Sequence, residues 1–179
     1  NRNFEMTKSK YFAVLNPDLK IVDPQIFQKL ICVMEDNTES LVCPRIVDRN
    51  GHIQDSARNF PKFLELLRRI CYGRTEKAGD DANIKVEKVR KVDWSAGMFH
   101  LYPSSLYLQM KGFDEKYFLY CEDVDMGLRL KRKGFSTLVC ESTSVEHDAR
   151  RDSHKSMKFL FYHLRSYVRL YLNLYFRIS

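Results

Sequence analysis

No run of eighteen apolar residues occurs in this sequence, so no segment reads as a conventional membrane-spanning helix. A secretory-type leader is likewise not recognisable, and export is not indicated. The five cysteines (Cys32, Cys43, Cys71, Cys121 and Cys140) form no CxxC pair and leave one over, which argues against a disulfide framework and for reduced thiols in a cytosolic compartment. None of the compact nucleic-acid patterns is present: no zinc-finger spacing, no RNA-recognition strand, no basic zipper. The net charge of +7 does not revive that class, because residues 150–179 hold seven Lys/Arg against one acid, Asp152, leaving +1 for everything before them. Nucleic acid is therefore not an expected partner. Internal repeats and low-complexity tracts are also lacking.

What is present is a globular composition. A chain of 179 residues with 44 % apolar and 13 % aromatic content can bury one substantial core. Tyr11–Leu15 is an apolar run suited to a buried strand, ended by Asn16-Pro17-Asp18, since Pro17 cannot donate to a ladder and Asn and Asp favour turns. Asp23-Pro24 reads as a helix N-cap with proline at the first helical position, and Ile26, Phe27, Leu30, Ile31 and Met34 supply the apolar face of a helix ending near Asn37. Leu41–Val47 reads as a strand turned by Asn50-Gly51 into a hairpin with Ile53. Pro61 opens another helix, and 73–85 is loop. Val89–Trp94 is a strand, interrupted at Ser95-Ala96-Gly97 and resumed at Met98–Tyr102, where small residues permit close approach of a backbone or a flat ligand. Pro103–Lys111 is a helix, Phe135–Cys140 a strand, and Val145-Glu146-His147 follows a connector. The alternation predicts an α/β domain with a mixed sheet.

Residues 112–134 join a turn-like Gly112 and an aromatic run (Tyr117, Phe118, Tyr120) to a short helix. Its acids Glu122, Asp123 and Asp125 fall in the first turn, its bases Arg129, Lys131, Arg132 and Lys133 in the last, and Gly134 sits at the stop. The final segment, 156–178, is apolar over much of its circumference. Leu160, Leu164, Val168, Leu172 and Phe176 form a ridge, and Arg165, Arg169, Asn173 and Arg177 a narrow polar stripe. Such a helix either lies in a membrane interface facing anionic lipid or packs on the domain with its basic edge in water.

Three residues from separate parts of the chain carry candidate chemistry. Asp18 follows a strand, where open α/β sheets bind ligands, Asp123 begins a helix, and His147 ends a strand. A carboxylate and an imidazole can hold a divalent cation and attached phosphates, and a second carboxylate kept off the metal can take a proton from an attacking hydroxyl. Each residue also has an ordinary explanation, as turn former, helix-start charge or loop histidine. Spacing alone reaches only a metal-assisted transferase or hydrolase.

The runs LNPD at 15–18, NG at 50–51 with IQDSARNFP at 53–61, VDWSAGMF at 92–99, GFDEKYFLYCEDVDMGLRLKRKG at 112–134 and VEHDARRDSHKS at 145–156 resemble, in order, the family 2 glycosyltransferases. More narrowly they resemble the bacterial rhamnosyltransferases that build O-antigen and related surface polysaccharides. The resemblance implies a GT-A fold and inverting, single-displacement transfer from a nucleotide-diphosphate sugar, here dTDP-L-rhamnose, with Mg²⁺ or Mn²⁺. It implies that Asp18 and His147 hold metal and diphosphate, and that Arg151 is a further phosphate contact. Trp94 and Gly97 would line the sugar and acceptor region. Asp123 would be the general base, Glu122 would orient it, and Phe118 and Tyr120 would shape the acceptor wall.

The implied acceptor is a saccharide on undecaprenyl diphosphate, met at the inner face of the bacterial inner membrane by a peripheral cytoplasmic enzyme in lipopolysaccharide synthesis. Relatives begin with further strands and helices that bind the base and ribose. The expectation is thus an N-terminally truncated GT-A sheet over 1–154 with a basic amphipathic helix over 155–179, either active in its complete form or a catalytically inactive fragment that binds membrane or a partner protein.

Overall fold

A computed structural model describes residues 9–60, 88–147 and 157–176. The helix expected from Pro61 and the loop 73–85 lie outside these residues. Strands β1 (Tyr11–Leu15), β7 (Phe99–Pro103), β3 (Ser40–Val47), β8 (Ser136–His147) and β2 (Leu19–Lys20) neighbour one another in that order, and β5 (Val89–Val92) also pairs with β8. Among the described residues only β3 and β8 run parallel; every other pairing in this sheet is antiparallel. The expected mixed α/β sheet is thus present. β4 (Ala57–Arg58) and β6 (Trp94–Ser95) make a separate two-stranded ribbon.

β3 is buried on both faces, and its alternating side chains divide between two clusters. Val42 and Ile46 join helix α1 (Ile26–Asp36), whose Ile26, Leu30 and Met34 are buried one turn apart, in a cluster with Phe99, Leu101, Leu138 and Val145. Leu41 faces the other way, into Tyr102, Leu106, Tyr107, Met110, Met126 and Leu130 beneath α2 (Ser104–Gln109) and α3 (Glu122–Arg132). Burying each large apolar side chain of α1 contributes roughly 1.5–3 kcal/mol, which outweighs the absence of a side-chain cap at its start.

The structure revises several expectations. β1 is a half-buried edge strand, because among the described residues only β7 flanks it. Helix α1 starts at Ile26 and not at Pro24, since the Asp23 carboxylate accepts from Gln25 N at 2.9 Å, Lys29 Nζ at 2.8 Å and Thr143 Oγ1 at 2.8 Å, tethering the turn before the helix to β8. These donors, Lys29 foremost, hold the Asp23 carboxyl down at about 2. The hairpin at Asn50-Gly51 closes with a single bridge, Val47 to Ile53. Phe135–Cys140 and Val145–His147 are not separate: β8 is continuous, with an irregularity that passes its pairing from Pro44–Cys140 to Arg45–Ser144.

The α3 stop is as expected. Gly134 has φ +85°, Phe135 N donates to Leu130 O at 3.0 Å, and Gly134 N donates to Lys131 O at 3.1 Å, with Leu130 and Phe135 in one apolar cluster.

Gly127 sets how closely α3 approaches the β5–β6 corner. A Cβ there would lie 2.6 Å from both Asp93 O and Trp94 Cβ. Gly127→Ala should therefore lower stability by about 1–3 kcal/mol in urea unfolding, against the gain of up to about 1 kcal/mol that Ala usually brings to a helix. A more stable variant would show that helix and corner can separate at little cost.

Candidate active site

β1, β3 and β8 all point their carboxyl ends to the same edge, and the segments leaving them meet there. Asn16 N donates to Met98 O at 2.9 Å, Ala96 N to Ser56 O at 2.6 Å, and Gln54 N to Ile46 O at 2.8 Å. The LNPD turn, the 54–56 segment, the Ser95–Gly97 turn and His147 are thereby tied into one backbone network. This edge is where α/β sheets place ligands.

Asp18 and His147 come together across it, with Nε2 to Oδ2 at 3.2 Å, the imidazole mostly buried and the carboxylate about half exposed. Gln54 holds the imidazole from behind. Its Nε2 donates to His147 O at 3.0 Å, and its Oε1 lies 3.2 Å from His147 Nδ1. A carbonyl can only accept, so the amide nitrogen must face it, leaving Oε1 against Nδ1. The neutral ring then carries its proton on Nδ1, and Nε2 turns a lone pair toward the Asp18 carboxylate. Two electron-rich atoms so placed are stable with a cation or proton between them, so this pair fits a divalent ion such as Mg²⁺ or Mn²⁺. It supplies two ligands; among the described residues no group of three or more His, Cys, Asp and Glu is arranged to hold a metal. Asp18 also lines a cavity of about 370 Å³ with Lys20, Arg49 and Glu146.

Asp123 sits at the start of α3, its Oδ2 accepting from Gly97 N at 2.9 Å and its Oδ1 from Val124 N at 2.7 Å. Both oxygens are oriented, and each keeps a second lone pair. The approach is close: a Cβ on Gly97 would lie 3.4 Å from that of Asp123, in van der Waals contact. Trp94 meets α3 one turn on, at Gly127. Glu122 is half-buried with Oε2 unpartnered, and burial, assisted by the Asp123 charge, raises its pKa. Asp125 does a different job: fully buried, it pairs with Arg129 Nε at 2.6 Å, whose guanidinium also donates to Met110 O and Gly112 O.

The loop before α3 is folded back sharply, Tyr120 and Cys121 having φ of +66° and +69°. Phe118 is 75 % exposed and lies 4.8 Å from the Tyr162 ring on α4 (Met157–Phe176). Half of the polar stripe of α4 turns inward. Asn173 Nδ2 donates to Asp125 Oδ1 at 3.0 Å, Arg169 lies 3.5 Å from Asp114, and Leu170 and Leu174 pack with Tyr117 and Leu128. Arg165 stays exposed together with Tyr167, Val168 and Leu172, so the helix packs on the domain and leaves apolar as well as basic surface outside; Arg177 lies outside the described residues. No helix among the described residues is long and apolar enough to cross a membrane. Arg151 lies outside the described residues.

Of the predicted residues, Asp18 meets His147 and Asp123 meets Gly97, with Trp94 against the helix that carries Asp123. Gln54 and His100 were not singled out. Gln54 was within reach, standing inside the 53–61 run. His100 is fully buried, its Nε2 donating to Ser95 O at 3.0 Å and its Nδ1 accepting from Tyr102 Oη at 2.9 Å. An imidazole between apolar strand residues gives no sequence signal for such a role.

A family model described as glycosyltransferase-like family 2 matches residues 1–163. The chain belongs to that family. It is 28 % identical over 161 residues to the rhamnosyltransferase WbbL of Escherichia coli K12, covering 89 % of this chain and 60 % of that protein. It is 30 % identical over 142 residues to the N-acetylglucosaminyl-diphospho-decaprenol L-rhamnosyltransferase of Mycobacterium tuberculosis H37Rv, covering 76 % of this chain and 46 % of that one. The chain thus spans about half the length of these relatives. The structure of GalNAc-T7 with UDP, GalNAc and Mn²⁺ superposes with a TM-score of 0.63 at 13 % identity, over 94 % of this chain and 32 % of that one. The likeness is one of fold, and it makes this an α/β GT-A-like domain.

Two outcomes follow for this family member. Imidazole ¹⁵N spectra at pH 8 should show His147 protonated on Nδ1 in the parent and on Nε2 in Gln54→Leu, where the amide acceptor is gone; an Nε2–H ring in the parent would overturn the assignment. Burial lowers the His100 pKa against the opposing Asp123 charge, so the unfolded chain binds the proton first as pH falls. Stability is fully present above the unfolded value of about 6.5 and declines below it. Glu122, whose pKa is raised, works in the opposite direction, so the difference between parent and variant is the readout. Melting temperatures from pH 7.5 to 5 should fall more steeply for the parent than for His100→Gln, and parallel curves would remove His100 from the linkage.

Proposed function

We propose that this chain is the metal- and acceptor-binding part of an inverting glycosyltransferase that moves L-rhamnose from dTDP-L-rhamnose to a saccharide carried on a polyprenyl diphosphate. The observation that carries the reading is the tie between two carboxylates at one sheet edge: Asp18 with His147 on one side, Asp123 on the other, joined through Asn16–Met98 and Gly97–Asp123. Relatives that act as rhamnosyltransferases support the sugar, and the name of one of them supports a diphospho-polyprenol acceptor.

Asp18 and His147 would hold the divalent cation, which neutralises the charge building on the departing diphosphate. Lys20 and Arg49, lining the cavity with Asp18, add cationic contacts to the same phosphates. A free lone pair of Asp123 takes the proton of the acceptor hydroxyl as its oxygen bonds to the anomeric carbon and the bond from that carbon to the diphosphate breaks. Glu122 lies beside this base, Trp94 and Gly97 line the sugar and acceptor side, and Phe118 and Tyr120 form the acceptor wall. Arg151 is a further phosphate ligand in this reading. Residues 1–154 are the GT-A part and 155–179 a helix that keeps the enzyme peripheral on the inner face of a bacterial inner membrane, in O-antigen or lipopolysaccharide synthesis. The exposed Tyr167, Val168 and Leu172 favour one alternative, an inactive chain that uses this ridge to bind membrane or a partner protein.

The test uses the complete polypeptide that the gene encodes. Asp123→Asn should lower turnover at least about 100-fold with donor affinity nearly unchanged, whereas Asp18→Ala should weaken Mn²⁺-dependent donor binding at least about tenfold. Equal transfer by Asp123→Asn and the parent would remove the base assignment.

A further inference from the structure

We propose that the cavity between residues 115–118 and helix α4 binds the diphosphate of a lipid-borne acceptor, with the hydrocarbon chain running along the outward ridge of that helix. The inference rests on the reading above that the acceptor is carried on a polyprenyl diphosphate, and it assigns that group a place.

The cavity holds about 210 Å³ and is lined by Glu115, Lys116, Phe118, Tyr162, Arg165, Ser166 and Arg169. A single water needs only about 10–15 Å³ of such space, so the cavity has room for a diphosphate. Three of the lining side chains are cationic and one is acidic, so the cavity favours an anion. Two of the three are arginines, whose planar forks suit phosphate oxygens.

Arg169 is already part of a built arrangement. Asp114 Oδ2 lies 3.5 Å from its Nη2 and the Tyr117 ring 5.5 Å from its Cζ, yet its Nε is buried without a hydrogen-bond partner. A buried N–H left unpaired is costly, and an anion entering the cavity would satisfy it.

The surroundings of the cavity match the remainder of such a ligand. The Phe118 ring, 75 % exposed and 4.8 Å from Tyr162, offers an aromatic wall at the mouth. Tyr167, Val168 and Leu172 continue along the same helix as exposed apolar surface, where an isoprenoid chain is better placed than water. Ser166 Oγ donates to Leu119 O at 2.8 Å, pinning the loop to the helix. Phe118 is five residues before Asp123, so the cavity wall and the carboxylate are at most about 17 Å apart along an extended chain. A sugar attached to the bound diphosphate has that distance to span to reach Asp123.

Binding of farnesyl diphosphate, inorganic pyrophosphate and farnesol to this chain, measured calorimetrically in EDTA with no donor present, tests the proposal. Farnesyl diphosphate should bind at least tenfold more tightly than either half alone. The double variant Lys116→Ala, Arg165→Ala, both at exposed positions, should lose at least tenfold for farnesyl diphosphate with an unchanged melting temperature, and Arg165→Lys should restore part of it. Undiminished binding by the double variant would overturn the proposal, as would pyrophosphate binding as tightly as the lipid and equally well to the variant. Equal retention on phosphatidylglycerol vesicles by parent and double variant, with no competition from farnesyl diphosphate, would replace it with a general anionic surface. Because neither metal nor donor enters, Asp123→Asn should bind farnesyl diphosphate normally, so failure of the catalytic reading and failure of this one are separable.

Discussion

The hydrogen bond from Gly97 N to Asp123 Oδ2 is the constraint on which the arrangement of the site depends. It joins two parts of the molecule with different histories in the chain. Gly97 belongs to the turn entering β7, beside the backbone that holds the LNPD segment, whereas Asp123 opens a helix carried by the opposite layer. The two can meet because Gly127, one turn farther along α3, lets the helix lie directly against Asp93 and Trp94. One glycine in the helix thus sets the separation of a carboxylate from the sheet edge. Asp93 reinforces the contact, accepting from Phe60 N at 2.8 Å and Lys131 Nζ at 2.6 Å.

Local signals in the sequence were dependable where one segment's own chemistry decides its form. The Tyr11–Leu15 strand, the α1 apolar face and the glycine stop of α3 are all found in place. Signals that needed a neighbour were not. Asp23 looks like a helix cap in one dimension, but Thr143, 120 residues away, shares its carboxylate and moves the helix start. Val145–His147 looked detached from Phe135–Cys140, because an irregularity inside a long strand has the composition of a loop. The orientation of α4 was illegible for the same reason: Arg169 and Asn173 read as part of one polar stripe until Asp114 and Asp125 are known to stand opposite them. Within the site, the ionisable residues were visible as types. The amide that sets the tautomer of one of them was not.

Backbone conformation concentrates cost beside this site. Tyr120 and Cys121 are consecutive non-glycine residues with positive φ, each unfavourable by roughly 1–2 kcal/mol, immediately before Glu122 and Asp123. The packing of Tyr117, Cys121, Val124 and Leu128 against Leu170 and Leu174 offsets that cost. Helix α4 therefore acts on Asp123 without touching it, by holding the loop that delivers that residue. Its Asn173 also reaches Asp125 directly. A contact at the outer surface of α4 is in this sense mechanically continuous with the start of α3.

The shortness of the LNPD turn has a geometric consequence for the whole sheet. β1 and β2 occupy opposite ends of the strand order, yet only residues 16–18 connect them. In a flat sheet four strand spacings amount to about 19 Å, whereas four peptide links reach about 14 Å at most. The sheet must curl over its carboxyl end until its two margins are close enough for that strap to close. Curvature, rather than any one side chain, then makes the edge concave, and Asp18 sits on the clasp that holds the bowl shut.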